Sequence, residues 1–240
     1  MTTQQFLVRG DRAITETGLH LAKGDHVLVR HTGGTVRFNT AKDWGPEVGP
    51  NGYPRSDFNV HWPEDAKYTD PLTGWHDGHA GLMATVDGQA RFVGAKATLA
   101  SQLGCDLRLG INDATPDGPS GLGNSGGFEV TVEVGRPPRR LAPLLGTWVK
   151  VHESPRRSGA PDLRLMAFDL DRTWRALKPY GRELDEGGEI REVGSLAGRD
   201  FITLWSDQRR EAETWVFEVE RNRLLLERVS DHYRQDFDRL

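Results

Sequence analysis

Apolar and polar residues alternate along most of this chain with a period of two. Leu107, Leu109 and Ile111 alternate with polar neighbours, and so do Phe128, Val130, Val132 and Val134, the pattern of strands with one buried face. The same reading predicts strands at QFLVR, HVLVRH, TVRFN, GLMATVDG, ARFVGA, CDLRLGIN and FEVTVEV in the first half. In the second half it predicts them at LLGTWVKV, LRLMAFDLD, TWRALKP, GEIREVG, FITLWS, ETWVFEVE, RLLLERVS and YRQDFDR. All are short and separated by Gly, Pro, Asn and Asp, and helix signals are nearly lacking. The expected fold class is therefore all-β, with an N-terminal antiparallel β-sandwich and a small C-terminal antiparallel β-barrel that disposes of its sheet edges.

The stretch GRPPRRLAP, with Pro137 and Pro138 adjacent, forbids both helix and central strand. It places a boundary at about residues 138–142, between units at 1–137 and 143–240. Near the end of the chain, ERNR offers Asn222 for a positive φ, so TWVFEVE and RLLLERVS form a predicted hairpin. A long break between Thr40 and His79 carries Trp44, Trp62 and Trp75, which argues against disorder there.

Composition narrows the class. The 240 residues suffice for two units with cores of their own. A net charge of −4 supplies no long-range field for nucleic acid, and the basic run at Arg139 and Arg140 is too short to alter that. No run of about 18 apolar residues is present, so no membrane span is expected. The beginning, MTTQQFLVRGD, lacks the pattern of a signal peptide, which makes cytoplasmic residence the default expectation. Cys105 has no second cysteine to pair with and is expected to be a small buried residue near a strand start.

Candidate chemistry concentrates in residues 110–130, GINDATPDGPSGLGNSGGFEV. Asn112, Asp113, Asp117 and Asn124 supply the oxygens that calcium prefers, and the glycines let main-chain carbonyls converge. The same residues also build ordinary tight turns, so both readings stand. GLGNSG matches dinucleotide-loop spacing but leads into a strand rather than a helix, which excludes that use. In WHDGH, His76, Asp77 and His79 raise a metal-dependent enzyme as a third reading, although an extended chain points the two imidazoles to opposite faces. RGD at Arg9 to Asp11 reads as a turn, and no GxSxG, HExxH or P-loop is present.

The segments TGLHLAKGDHVLVRHTGGTVRF, DWGP, WHDGHAGLMATVDG and LGIND…GNSGGFEVTV, in that order over residues 5–134, resemble the calcium-dependent PA-I type galactose-binding lectins and the wider bacterial LecA-like domains. The resemblance implies a calcium ion held between two loops and shared with the hydroxyls of a galactose-type sugar. Its implied metal ligands are the Phe38 carbonyl, Asp113 and Asn124, with Asp117 as a substitute where Gly123 replaces a family asparagine. Its implied sugar contacts are Asn112, Asp113 and Asn124, with His61 and Trp62 offered by the diverged HWPED loop. A lectin without a signal peptide further implies either non-classical export or loss of calcium dependence, the latter leaving a metal-free interaction module.

In the second half, Gly146 and Trp148 form a GxW pattern that resembles the first strand of lipocalins and short lipocalin-like bacterial domains. The resemblance implies that Trp148 closes one barrel end against Arg228, Arg234 or Arg239. It also implies a small apolar ligand for the barrel, but about 95 residues are few for a full calyx, and a barrel filled by side chains is the expectation.

Overall fold

The computed structural model describes residues 2–12, 14–37, 47–52, 78, 80–112, 124–154, 165–177 and 184–239. Every element among them is a strand, so no helix there is long and apolar enough to cross a membrane. The chain divides into two compact units, Met1–Arg136 and Pro137–Leu240.

The first unit is an antiparallel sandwich. Its strands are β1 (Thr2–Arg9), β2 (Ile14–Leu21), β3 (His26–Gly33), β4 (Val36–Arg37), β5 (Glu47–Val48), β6 (Leu82–Val86), β7 (Gln89–Phe92), β8 (Lys96–Ala100), β9 (Cys105–Ile111) and β10 (Ser125–Gly135). One sheet runs β5-β4-β10-β3-β8 with β1 also on β10, and the other runs β2-β9-β6-β7. The alternation puts Val27 and Val29, Leu107 and Leu109, and Phe128, Val130 and Val132 into a shared core at 1 % exposure or less. Each such side chain contributes roughly 1.5–3 kcal/mol through burial.

Three first-unit strands escape the periodicity reading. In β2 burial alternates along Ile14–Leu21, but Thr15 and Thr17 take inward positions and Ile14 an outward one, so the apolar rhythm is missing, and a bulge between Glu16 and His20 holds Gly18 at a positive φ of 69°. The strand β5 is a single pair of residues, and β8 (KATLA) buries consecutive residues, Ala97 and Thr98. Cys105 is the first residue of β9 but is only half-buried, its Sγ accepting the Asp87 N–H at 3.1 Å. RGD is a turn in which Arg9 bonds Asp11 at 2.9 and 2.5 Å.

The second unit is a closed eight-stranded barrel of β11 (Gly146–Ser154), β12 (Leu165–Phe168), β13 (Thr173–Leu177), β14 (Leu184–Leu196), β15 (Arg199–Ser206), β16 (Glu211–Glu220), β17 (Arg223–Arg228) and β18 (Arg234–Arg239). All eight match the strands expected from alternation, and β11 pairs with both β12 and β18 to close the ring. Every neighbour is antiparallel, so the turns alternate between two barrel ends. Turns 169–172, 197–198 and 221–222 lie at one end, while turns 207–210 and 229–233 lie at the other. The hairpin between β16 and β17 forms as expected, but the positive φ, 54°, belongs to Arg221 rather than Asn222. The Asn222 carbonyl instead accepts the Arg239 N–H at 2.8 Å.

Candidate functional site

In the first unit, two glycines set the geometry from which the sequence-predicted loops depart. Gly34 (φ 80°) and Gly126 (φ 78°) face opposite strands so closely that a Cβ on either would lie 2.3 Å from a carbonyl oxygen, that of Gly127 or of Thr35. This approach lets β4 continue along β10 after β3 ends, with Arg37 opposite Ser125. The same end of the sandwich is then tied together by hydrogen bonds. Val36 pairs with Val48, the Pro50 carbonyl accepts from Leu82 N–H, Asn112 N–H donates to Gly81, and Ala80 N–H donates to Asn112, each of the last three at 2.8 Å. We refer to this rim as the collar. Residues 38–46, 53–77 and 113–123 each leave and rejoin the described chain there.

Of the sequence-predicted site residues, Asn112 and Asn124 are described. Asn112 is fully buried, and its Nδ2 donates to the Gly78 carbonyl at 3.3 Å. Asn124, 6 % exposed, immediately precedes β10. Phe38, His61, Trp62, Asp113 and Asp117 lie outside the described residues, as do Trp44, Trp75, His76, Asp77, His79 and Gly123. Among the described residues, no three His, Cys, Asp or Glu side chains group as a metal site. For a calcium ion, the described donor set is thus confined to neutral amides, and Asn112 already has its main chain and amide engaged in the collar.

Among the described residues, the barrel of the second unit is plugged at one end and holds a cavity toward the other. At the plugged end, Trp148 is fully buried and its indole Nε1 donates to the Leu144 carbonyl at 2.7 Å. The guanidinium that covers it is that of Arg239, 4.4 Å from the ring centroid, because β18 closes on β11 with Arg239 opposite Trp148. Burial pulls Arg239 below the ordinary arginine range. Phe168, Ile202, Phe217 and Leu224 are also buried and do not line the cavity.

Toward the end carrying turns 207–210 and 229–233, the interior opens into a cavity of about 230 Å³. Among the described residues the interior is therefore not filled at this end, where Ala176 is the smallest lining side chain. Leu165, Trp174, Leu204, Trp215 and Phe237, all nearly buried, form its apolar wall. Trp174 is fixed by its indole N–H, which donates to the Trp205 carbonyl at 2.8 Å.

The rim of this cavity is ionic. Arg228 lies 5.5 Å from the Trp215 ring centroid and 5.3 Å from that of Tyr233. Its Nε and Nη2 fork onto Asp231 at 2.8 and 2.7 Å, and its Nη1 donates to Glu213 at 2.8 Å. Arg209 donates to Glu186 at 2.6 Å and to Glu213 at 3.0 Å. The bonds to Asp231 and then Glu213 hold Arg228 above the ordinary arginine range against the opposing effect of burial. For Arg209, burial is the largest single influence and lowers the value, but Glu186 and Glu213 together outweigh it. Periodicity had no means of singling out these residues, because they come from three strands, β14, β16 and β17, and two turns that meet only when the strands pair.

No protein-family model matches the chain, and no curated protein matches it.

Proposed function

We propose that this is a binding protein whose C-terminal barrel is a cup for a compact ligand of about two fused rings with a polar edge. The observation that carries the reading is the cavity itself, about 230 Å³ among the described residues, with aromatic side chains and an ionic rim at the barrel end away from Trp148. That is about one and a half times the roughly 150 Å³ space that takes up benzene, and below the roughly 300–1,000 Å³ of sites for drug-sized molecules. The reading agrees with the small apolar ligand implied by the resemblance of GTW to lipocalin-like domains.

The test uses the full chain and naphthalene-2-carboxamide as probe. Trp174 and Trp215 line the cavity, so binding should change tryptophan fluorescence and saturate. Ala176→Phe should fill the gap and weaken the probe by at least about tenfold, or ~1.4 kcal/mol. Thermal melting of the variant separates a filled cup from a damaged barrel. A wild-type protein whose fluorescence ignores the probe up to its solubility limit would remove the proposal.

A second reading is favoured by one observation in the first unit. Arg37 sits opposite Ser125, so the chain toward Phe38 and the chain from Asn124 adjoin the same rung, and the collar ties Asn112 into the same end. The adjoining of these described chain ends supports a LecA-like calcium and galactoside site that would span those segments. Asp113 and Asp117 would bring the carboxylates that the described donors lack. Calcium at a hundred times its dissociation constant should then stabilise the unit by about 2.7 kcal/mol, read as a rise in melting temperature that chelator reverses. An unchanged melting curve at millimolar calcium favours the metal-free module instead.

A further inference from the structure

The charges around the cup are already spent on one another, and one residue makes that so. Glu213, 17 % exposed, accepts from Nη1 of both Arg209 (3.0 Å) and Arg228 (2.8 Å), and among the described residues it is the carboxylate shared by the two lining arginines. The remaining edges of those arginines are also occupied. Asp231 forks onto Arg228, while Glu186 and Glu211 hold Arg209, the latter at 3.2 Å. Lys150, the third cation lining the cavity, has a partner as well.

We infer that Glu213 sets the charge selectivity of the cup, so that uncharged ring-sized ligands are accepted and carboxylates are turned away; this rests on the ligand-cup reading above. An entering carboxylate must either displace a glutamate from a partly buried guanidinium or lie beside one as a second anion, and each course costs desolvation or repulsion. An entering cation meets two arginines fixed by their carboxylates, Arg228 packed beside the Trp215 and Tyr233 rings. An uncharged ligand disturbs neither set of pairs and gains the aromatic wall. Removing the charge of Glu213 leaves two Nη1 groups aimed at one point with one negative charge fewer between them, which is a place for a ligand carboxylate.

The experiment compares three probes of nearly equal shape on the full chain: naphthalene-2-carboxamide, naphthalene-2-carboxylate and naphthalene-2-carboxamidinium. In the wild type the amide should bind at least about tenfold tighter than either ion. Glu213→Gln should raise the carboxylate-to-amide affinity ratio by about tenfold without a matching rise for the amidinium. Glu186→Gln, which frees only an edge of Arg209, should raise it less. If Glu213→Gln fails to fold, the wild-type ranking and the Glu186→Gln ratio still decide. Equal binding of amide and carboxylate by the wild type, or an unmoved ratio in a folded Glu213→Gln, overturns the inference alone. Failure of all three probes to bind overturns the cup and this inference with it.

Discussion

Trp148→Ala is expected to destabilise the barrel by about 3–5 kcal/mol, the usual range for deleting a buried large aromatic. Trp148 is the largest fully buried side chain among the described residues, at 0 % exposure, so no solvent-facing relaxation softens the cavity left behind. The loss also strips Arg239 of the ring that covers it at 4.4 Å. That matters because Arg239 Nε is already buried without a hydrogen-bond partner, and a desolvated cation–π contact contributes about 2 kcal/mol. Trp148→Phe keeps a ring beneath the guanidinium but loses the donor to the Leu144 carbonyl, so it should cost less, roughly 1–2 kcal/mol. Since the chain has two units, a single unfolding transition is not assumed, and hydrogen exchange of barrel amides is the suitable readout. Equal loss in the alanine and phenylalanine variants would show that the ring does not carry the plug.

The difference between the two units in how much could be read from sequence has a physical cause. In the barrel, Ile202 and Leu204, Trp215 and Phe217, and Leu224 and Leu226 each occupy alternate positions, so one buried face marks those three strands, while β11 and β12 also bury neighbours in sequence, Trp148 with Val149 and Ala167 with Phe168. In the sandwich, β2 alternates in burial but has Thr15 and Thr17 inward and Ile14 outward, and β8 buries consecutive residues, so neither strand carries the apolar period. Alternation also leaves the partner of Trp148 open among three arginines, since it gives facing but not register. Closure of β18 on β11 selects Arg239. The cavity was not legible at all, because whether interior side chains fill a barrel depends on their volumes and rotamers together. Glu213 was equally hidden: on its strand it is one more polar residue, and its role arises from arginines on the neighbouring strand and the preceding turn. For the loop chemistry, sequence placed Asn112 and Asn124 at strand ends, and the structure adds what spacing alone does not give, the Arg37–Ser125 rung and the collar.

Arg175→Met is expected to be about as damaging as the loss of Trp148, for an electrostatic reason. Asp169 sits at the plugged end with its side chain 1 % exposed, and Arg175 donates to both its oxygens, Nε at 2.9 Å and Nη2 at 3.4 Å. Asp169 also opens a tight turn whose main chain is set by Asp169 N–H to the Thr173 carbonyl at 2.9 Å and Arg172 N–H to the Asp169 carbonyl at 3.0 Å, with Arg172 at φ 61° and the Asp171 carboxylate accepting from Thr173 Oγ1 at 2.8 Å. Removing the guanidinium leaves a buried negative charge without its counter-ion, a change that typically costs about 3–5 kcal/mol. Replacing both members by apolar residues, Asp169→Leu with Arg175→Met, removes the charge together with its partner. The pair's attraction is offset by the desolvation of two ions, so the double variant should be more stable than Arg175→Met alone. A double-mutant cycle read by hydrogen exchange of the β12 and β13 amides measures the coupling. Additive losses in that cycle would mean that Asp169 is held by its turn rather than by Arg175, whereas a rescued double variant locates the stabilisation in the pair.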